Sequence, residues 1–167
     1  MPEAIRRIEP LPLGMAAWAP FGWLPVDDTD PLDGSHRLAF EWGDPHVNII
    51  GHDRDEVPRV SGGLRCDVMY RHLTHTQALM SLDHRCVLAV AVADLDFDGP
   101  AAADSVAAFV MEPLESVVLH QGTWHWGPYP MTAQRVRLFN VQGLRYTEDN
   151  DRVDLATRGG SVVVRTG

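Results

Sequence analysis

The chain has 167 residues, of which 45% are hydrophobic and 22% are charged. These values predict one folded domain over residues 1–167 with a real core. Its formal net charge is -9, and all 14 basic residues are arginines. This acidity argues against nucleic acid as a partner, and the absence of lysine excludes Schiff-base and P-loop chemistry. No run approaches the ~18 apolar residues of a membrane helix, and no signal-peptide pattern is present, so we expect a cytoplasmic protein without a membrane partner.

In chain order, residues 15–22 predict a short helical turn closed by Pro20 and Gly22. An edge strand at 23–26 and a loop at 27–35, rich in Asp, Pro and Gly, are expected to follow. Apolar alternation and β-branched runs then predict strands at 37–42, 46–50, 65–71, 86–93, 106–111, 116–120, 135–141 and 162–165. Many short strands, frequent turn residues and one weak helix indicate an all-β sandwich or barrel. Cys66 and Cys86 lack CxxC spacing and are predicted to be buried free thiols.

Two histidine clusters lie beside the predicted strands, and they indicate the position of the functional site. The first runs Tyr-Arg-His-Leu-Thr-His-Thr-Gln over residues 70–77, and the second runs His-Gln-Gly-Thr-Trp-His-Trp over residues 120–126. A barrel that brings both clusters together would place two to four imidazoles and an amide side chain inside the barrel, at one of its open ends. Such a set favours a metal-centred pocket for a small molecule.

The spacing of these clusters resembles the two motifs of the cupin superfamily. The first cupin motif reads His-x-His-x3–4-Glu-x6-Gly; here Tyr70, His72, Gln77 and His84 stand at its four positions. The second reads Pro-x-Gly-x2-His, and the chain has His120 in place of the proline, with Gly and His following at the matching spacing. The resemblance implies a cupin-type β-barrel, or jelly roll, with a minor N-terminal helical turn.

A narrower resemblance is to the ureidoglycolate lyase family, also called ureidoglycolate hydrolases. The chain is similar to that family in its opening stretch ending in Phe-Gly, and in its Arg-His…Thr-Gln-Ala, His-x3-Trp-His and Gln-Arg-Val segments, which here span residues 71–78, 120–125 and 134–136. The resemblance implies a homodimeric, metal-dependent enzyme of purine catabolism. Such an enzyme splits ureidoglycolate, a small carboxylate, into glyoxylate and urea.

The resemblance also implies roles for individual residues. His72, Gln77 and His125 fall at the positions of ligands to a divalent metal, which would be nickel, manganese or iron. His120 is then a further ligand or the acid–base group, and one inward-facing arginine would pair with the substrate carboxylate. The predicted site residues are, for catalysis, His120 and Arg135; for substrate binding, Trp124, Arg137 and Tyr70; and for the metal, His72, Gln77 and His125.

Alternatives remain open at this point. Which of Arg135 and Arg137 faces the pocket depends on the strand register. His75 reads most simply as an ordinary strand residue, and Gln77 could orient a histidine or the substrate instead of binding metal. Two rival functions are a cupin oxygenase or isomerase using iron or manganese, and a cupin that binds a small ligand without turnover. Leu138 stands where the family has an acid, and this favours the second rival.

Overall fold

A computed structural model describes residues 5–27, 36–99, 101–158 and 160–167. The chain is built from short strands in this order: β1 Ile5–Ile8, β2 Leu11–Pro12, β3 Gly22–Trp23, β4 Pro45–Asp53, β5 Arg59–Val60, β6 Gly63–Cys66, β7 Val68–Arg71, β8 Gln77–Ser81, β9 Cys86–Ala91, β10 Ala107–Met111, β11 Ser116–Leu119, β12 Trp124–Pro130, β13 Arg135–Gly143, β14 Asp151–Asp154 and β15 Ser161–Arg165. The described helices are short: α1 Met15–Trp18, α2 Leu155–Arg158, and 3-10 turns at Arg54–Glu56, Ala102–Ser105 and Tyr146–Glu148.

The strands form three sheets. A six-stranded sheet has the order β14-β7-β12-β9-β10-β2, a five-stranded sheet has the order β3-β11-β8-β13-β4, and a four-stranded sheet has the order β1-β15-β6-β5. Pairing is antiparallel within the five-stranded sheet. Among the described strands, parallel pairing occurs between β1 and β15 and between β2 and β10. The prediction of an all-β fold with a minor helical turn is confirmed.

Strand β9 explains how the layers are stacked, because all six of its residues are buried. Val87, Ala89 and Ala91 contribute to one core, which also contains side chains of the four-stranded sheet. Cys86, Leu88 and Val90 contribute to a second core with inward side chains of the five-stranded sheet. Since successive strand residues point to opposite faces, a continuous apolar run is what a strand between two layers requires.

The N-terminal segment closes the second core. Trp18 on α1 is fully buried, and its ring meets Phe109 edge-on at 5.1 Å between centroids, with Phe21 beside them. The Trp18 indole N–H donates to the carbonyl of Val118. Gly22 then lets β3 approach β11, because a Cβ on Gly22 would lie 1.7 Å from the same carbonyl oxygen.

Most of the predicted strands are found in the structure, including 46–50 within β4 and most of 65–71 in β6 and β7. The apolar runs predicted as strands at 86–93, 106–111, 116–120, 135–141 and 162–165 are strands, with shifted ends. The predicted strand at 37–42 is reduced to one bridge between Phe40 and His75. Most of the predicted loop, residues 28–35, lies outside the described residues. Strands β8 and β12, which carry polar and aromatic side chains, were not predicted.

Both cysteines are buried free thiols, as predicted. Among the described residues, no helix is both long and apolar enough to span a membrane.

Candidate metal centre

The space between the six- and five-stranded sheets changes from apolar to polar toward one end. On β13, Leu138 belongs to the core, whereas Asn140 and Gln142 on the same face are buried polar residues. On β8, Leu79 is likewise followed at this end by the buried Gln77. One small cavity at this end is lined by His72, His75, Gln77, Leu119, His120, Thr123 and His125. The fold therefore brings the two histidine clusters of the sequence together, as predicted.

Asp149 fixes the orientation of the first cluster. The Nδ1 of His72 lies 2.5 Å from the backbone carbonyl oxygen of Asp149. The carboxylate of Asp149 accepts hydrogen bonds from the backbone N–H of Leu73 and from the N–H and hydroxyl of Thr74. Because Nδ1–H donates to the carbonyl, the lone pair of His72 is on Nε2.

His75 belongs to the same group, although the sequence suggested an ordinary strand residue. Its ring is 3% exposed and stacks on His72 with 4.7 Å between centroids. Its Nδ1 lies 3.7 Å from the Asp149 carboxylate, and its buried Nε2 has no hydrogen-bond partner. The residue was missed because the chain turns after β7, so period-2 alternation does not apply; the signal that could have found it is the His-x2-His spacing itself.

His125 and Gln77 enter from the two facing sheets. His125 on β12 lies 5.4 Å from His72 between ring centroids, and its Nδ1 is 3.2 Å from the carbonyl of Thr123. The side-chain N–H2 of Gln77 donates to Asn140 Oδ1 at 2.8 Å and to Gln142 Oε1 at 3.1 Å. The Oε1 of Gln77 is buried and has no partner.

These contacts leave a consistent set of nitrogen and oxygen atoms whose lone pairs are not used and could bind a metal. Each imidazole of His72, His75 and His125 has its Nδ1 directed at an oxygen, and the Oε1 of Gln77 is unpaired. Neutral imidazole nitrogens and an amide oxygen suit a first-row transition metal, and orientation through Nδ1 is typical of metal-binding histidines. The donor chemistry thus fits a divalent metal. Among the described residues, no three His, Cys, Asp or Glu side chains are already grouped to hold a metal ion.

Burial keeps the imidazoles uncharged. Burial, together with repulsion from the neighbouring His72, lowers the pKa of His125 to about 3 and that of His75 to about 4. The pKa of His72 is also lowered by burial, against the opposing effect of its hydrogen bond to Asp149. Burial disfavours ionisation of Asp149, but hydrogen bonds from Thr74 and Leu73 outweigh this and lower its pKa. Unprotonated imidazoles beside an ionised carboxylate are the state in which histidines bind metals.

Two further predicted residues lie at the opening of the site. Tyr70 lines a larger pocket that His72, Gln77 and His125 also line. His120 lines the small cavity but is itself exposed, and its ring lies 5.7 Å from that of Trp23. Their predicted roles in substrate binding and catalysis remain predictions.

The expected position of Trp124 is wrong. Adjacent strand residues point to opposite faces, so Trp124 lies behind β12 from His125. There it packs edge-on against Phe97 in the other core, with the guanidinium of Arg71 4.4 Å from its ring centroid. Trp126 belongs to the same core as Trp124, but it also lines the pocket, next to the register shift between Trp126 and Tyr129.

The expected positions of Arg135 and Arg137 are also wrong. Residues two apart on a strand share a face, and here both arginines are on the exposed face of β13. Arg135 pairs with Asp53 at 2.9 Å and Arg137 with Asp83 at 2.8 Å. Neither is among the residues that line the pocket, so the sequence hypothesis that one of them binds the substrate carboxylate does not hold.

A family model described as ureidoglycolate lyase matches residues 34–159, which include both histidine clusters. The chain belongs to the ureidoglycolate lyase family. Among solved structures, this family member is similar to Bacillus subtilis oxalate decarboxylase, in a structure used to assign the EPR fine structure of its Mn(II) centres. The identity is 11% and the TM-score 0.36, over 71% of this chain and 30% of that chain. The chain thus spans less than a third of that protein's length. No curated protein sequence matches it significantly.

Proposed function

We propose that this member of the ureidoglycolate lyase family cleaves the carbon–nitrogen bond of ureidoglycolate, or of a related small hydroxy acid, with the help of a divalent metal. The observation that carries the proposal is the convergence of His72, His75, Gln77 and His125, with unused donor atoms, on one cavity. The metal would be nickel, manganese or iron. A one-domain, cytoplasmic homodimer without nucleic-acid or membrane partners is part of the same proposal.

The reaction is an elimination that needs a base and an acid but no oxidant. The hydroxyl on the hemiaminal carbon loses its proton, its C–O bond becomes the carbonyl of glyoxylate, and the C–N electron pair leaves with urea. That nitrogen then takes up a proton, so atoms and electrons balance. A divalent metal held by His72, His75 and His125 would supply positive charge close to the oxygen that loses its proton.

The side chains of this chain would handle the protons and the geometry. His120, exposed at the edge of the cavity, is the proposed acid–base group, which takes the hydroxyl proton and returns it to the departing nitrogen. Asp149 orients His72 and His75 through its carbonyl and carboxylate. Gln77, held by Asn140 and Gln142, directs its amide oxygen away from these partners.

The test is glyoxylate release from racemic ureidoglycolate by protein loaded with nickel, manganese or iron(II). We expect turnover that His125→Ala abolishes and that His84→Ala, at an exposed histidine, leaves unchanged. Absence of glyoxylate with all three metals would refute the ureidoglycolate assignment.

A second candidate is a family member that binds a small ligand without turnover. It is favoured by the position of Arg135 and Arg137, which leaves the pocket without the arginine expected to bind a carboxylate. A ligand that binds at the histidine cluster but is recovered unchanged after prolonged incubation would establish this alternative.

A further inference from the structure

A larger pocket of about 360 Å³ adjoins the histidine cluster. It shares His72, Gln77 and His125 with the small cavity, so a molecule bound at the cluster would extend into it. Its other walls are mostly aromatic or amide side chains: Ile50, His52, Tyr70, Trp126, Gly127, Tyr129, Gln142, Tyr146 and Asn150.

The aromatic walls come from separate elements of the fold. Tyr129 and Trp126 on β12 lie 4.7 Å apart between ring centroids, and His52 on β4 lies 5.0 Å from Tyr129. On the other side, Tyr146 meets His72 edge-on at 6.4 Å. Tyr70 and Tyr146 are each 37% exposed, so their rings are available to a ligand.

The described walls of this pocket contain no arginine, aspartate or glutamate. Burial raises the pKa of Tyr129, so its hydroxyl group is uncharged at neutral pH. The Nδ1 of His52 lies 2.9 Å from the carboxylate of Glu56, which pairs with this side chain. An ionic group on a substrate would therefore find compensation only at the histidine cluster with its metal, and the rest of the substrate must be uncharged.

The size of the pocket also indicates a substrate with a large uncharged group. Its volume lies in the range of about 300–1,000 Å³ of pockets that enclose drug-sized ligands. A hydroxy-acid head at the histidines would leave the aromatic part unfilled if its only other group were a ureido group.

On the basis of the proposed lyase function, we propose that the preferred substrate is an N-acyl hydroxyglycine whose acyl tail is planar, aromatic and uncharged. The tail lies among Tyr70, Tyr129 and Tyr146, and the hydroxy-acid head faces the histidine cluster. The reaction has the same balance as above: the hydroxyl proton leaves, the C–N bond breaks with its electron pair on nitrogen, and that nitrogen is protonated. The products are glyoxylate and an aromatic amide.

Two hydroxamic acids share the same metal-binding hydroxamate group and differ in the group attached to it. Comparing their binding tests the effect of the tail separately from that of the metal-binding head. Acetohydroxamate carries a methyl group and benzohydroxamate a phenyl ring. We expect the nickel- or manganese-loaded protein to bind benzohydroxamate at least about tenfold more tightly by calorimetry, which corresponds to about 1.4 kcal/mol. Tyr146→Ala should remove most of this preference without changing the Kd of acetohydroxamate.

Phe139→Ala is the matched control, because Phe139 is also 37% exposed but lies on the outer face of β13. It should retain the preference for benzohydroxamate. Equal Kd values for the two probes would overturn the aromatic-tail inference and leave the proposed lyase function standing. Binding of neither probe would overturn both.

A substrate comparison provides a second readout. We expect glyoxylate to be released with a higher kcat/KM from α-hydroxyhippurate, which has a benzoyl tail, than from ureidoglycolate. The reverse preference contradicts the inference while supporting the lyase reaction.

Discussion

The buried imidazoles predict that the metal-free protein loses stability on mild acidification. His75 and His125 have pKa values lowered to about 4 and about 3, because burial disfavours the imidazolium and the rings repel one another. In the unfolded chain each titrates near ~6.5. The unfolded state therefore binds more protons between these values, and the free energy of unfolding falls as the pH falls from about 6.5 toward 4.

The magnitude follows from the distance to the unfolded pKa. At pH 5, about 1.5 units below it, each of the two histidines costs about 2 kcal/mol, against about 0.2 kcal/mol at pH 7. Together they lower the free energy of unfolding by about 4 kcal/mol, a large share of the ~5–15 kcal/mol of a typical domain. Asp83 and Asp149, whose folded pKa values are lowered, stabilise the protein above ~3.9 and lose that contribution only below it.

The assay is urea unfolding of chelator-treated protein at pH 7 and pH 5. The loss on acidification should be at least about 4 kcal/mol in the wild type, because the pKa of His72 is also lowered, and about 2 kcal/mol smaller in His125→Gln. His84→Gln, the same change at an exposed histidine, should behave like the wild type. An equal free energy of unfolding at the two pH values, or an undiminished loss in His125→Gln, would refute the reasoning.

Three other predictions concern residues at different distances from the site. Asp149→Ala should lower nickel affinity about 10–100-fold by calorimetry, because His75 and the Leu73–Thr74 turn lose the carboxylate that holds them, whereas Asp151→Ala, at an exposed carboxylate, should not. Arg135→Ala or Arg137→Ala should change the KM for ureidoglycolate by less than about twofold relative to the wild type, and should lower the free energy of unfolding by less than about 1 kcal/mol. A tenfold rise in KM would contradict the outward position of these arginines. Trp18→Ala should cost about 3–5 kcal/mol in urea unfolding, since the ring is fully buried.

The strands that could be predicted from sequence are those whose burial is uniform, as in β9, or alternates regularly, as in β13. The run at β9 is apolar throughout because both of its faces lie in cores, and such a run is visible without knowing its neighbours. Strand β12 could not be predicted in this way. Its side chains alternate between a core and the polar end of the interior, so tryptophan, histidine and tyrosine follow one another without an apolar pattern.

The all-β class, and the meeting of His72, Gln77 and His125, could be predicted from the amino-acid sequence. Local spacing carries that information, because both clusters adjoin strands. The positions of Trp124 behind β12 and of His75 beside Asp149, which is 74 residues away along the chain, became visible only in the folded structure. The physical reason is that strand register and long-range hydrogen bonds set which face a side chain occupies, and neither is encoded in nearest-neighbour pattern.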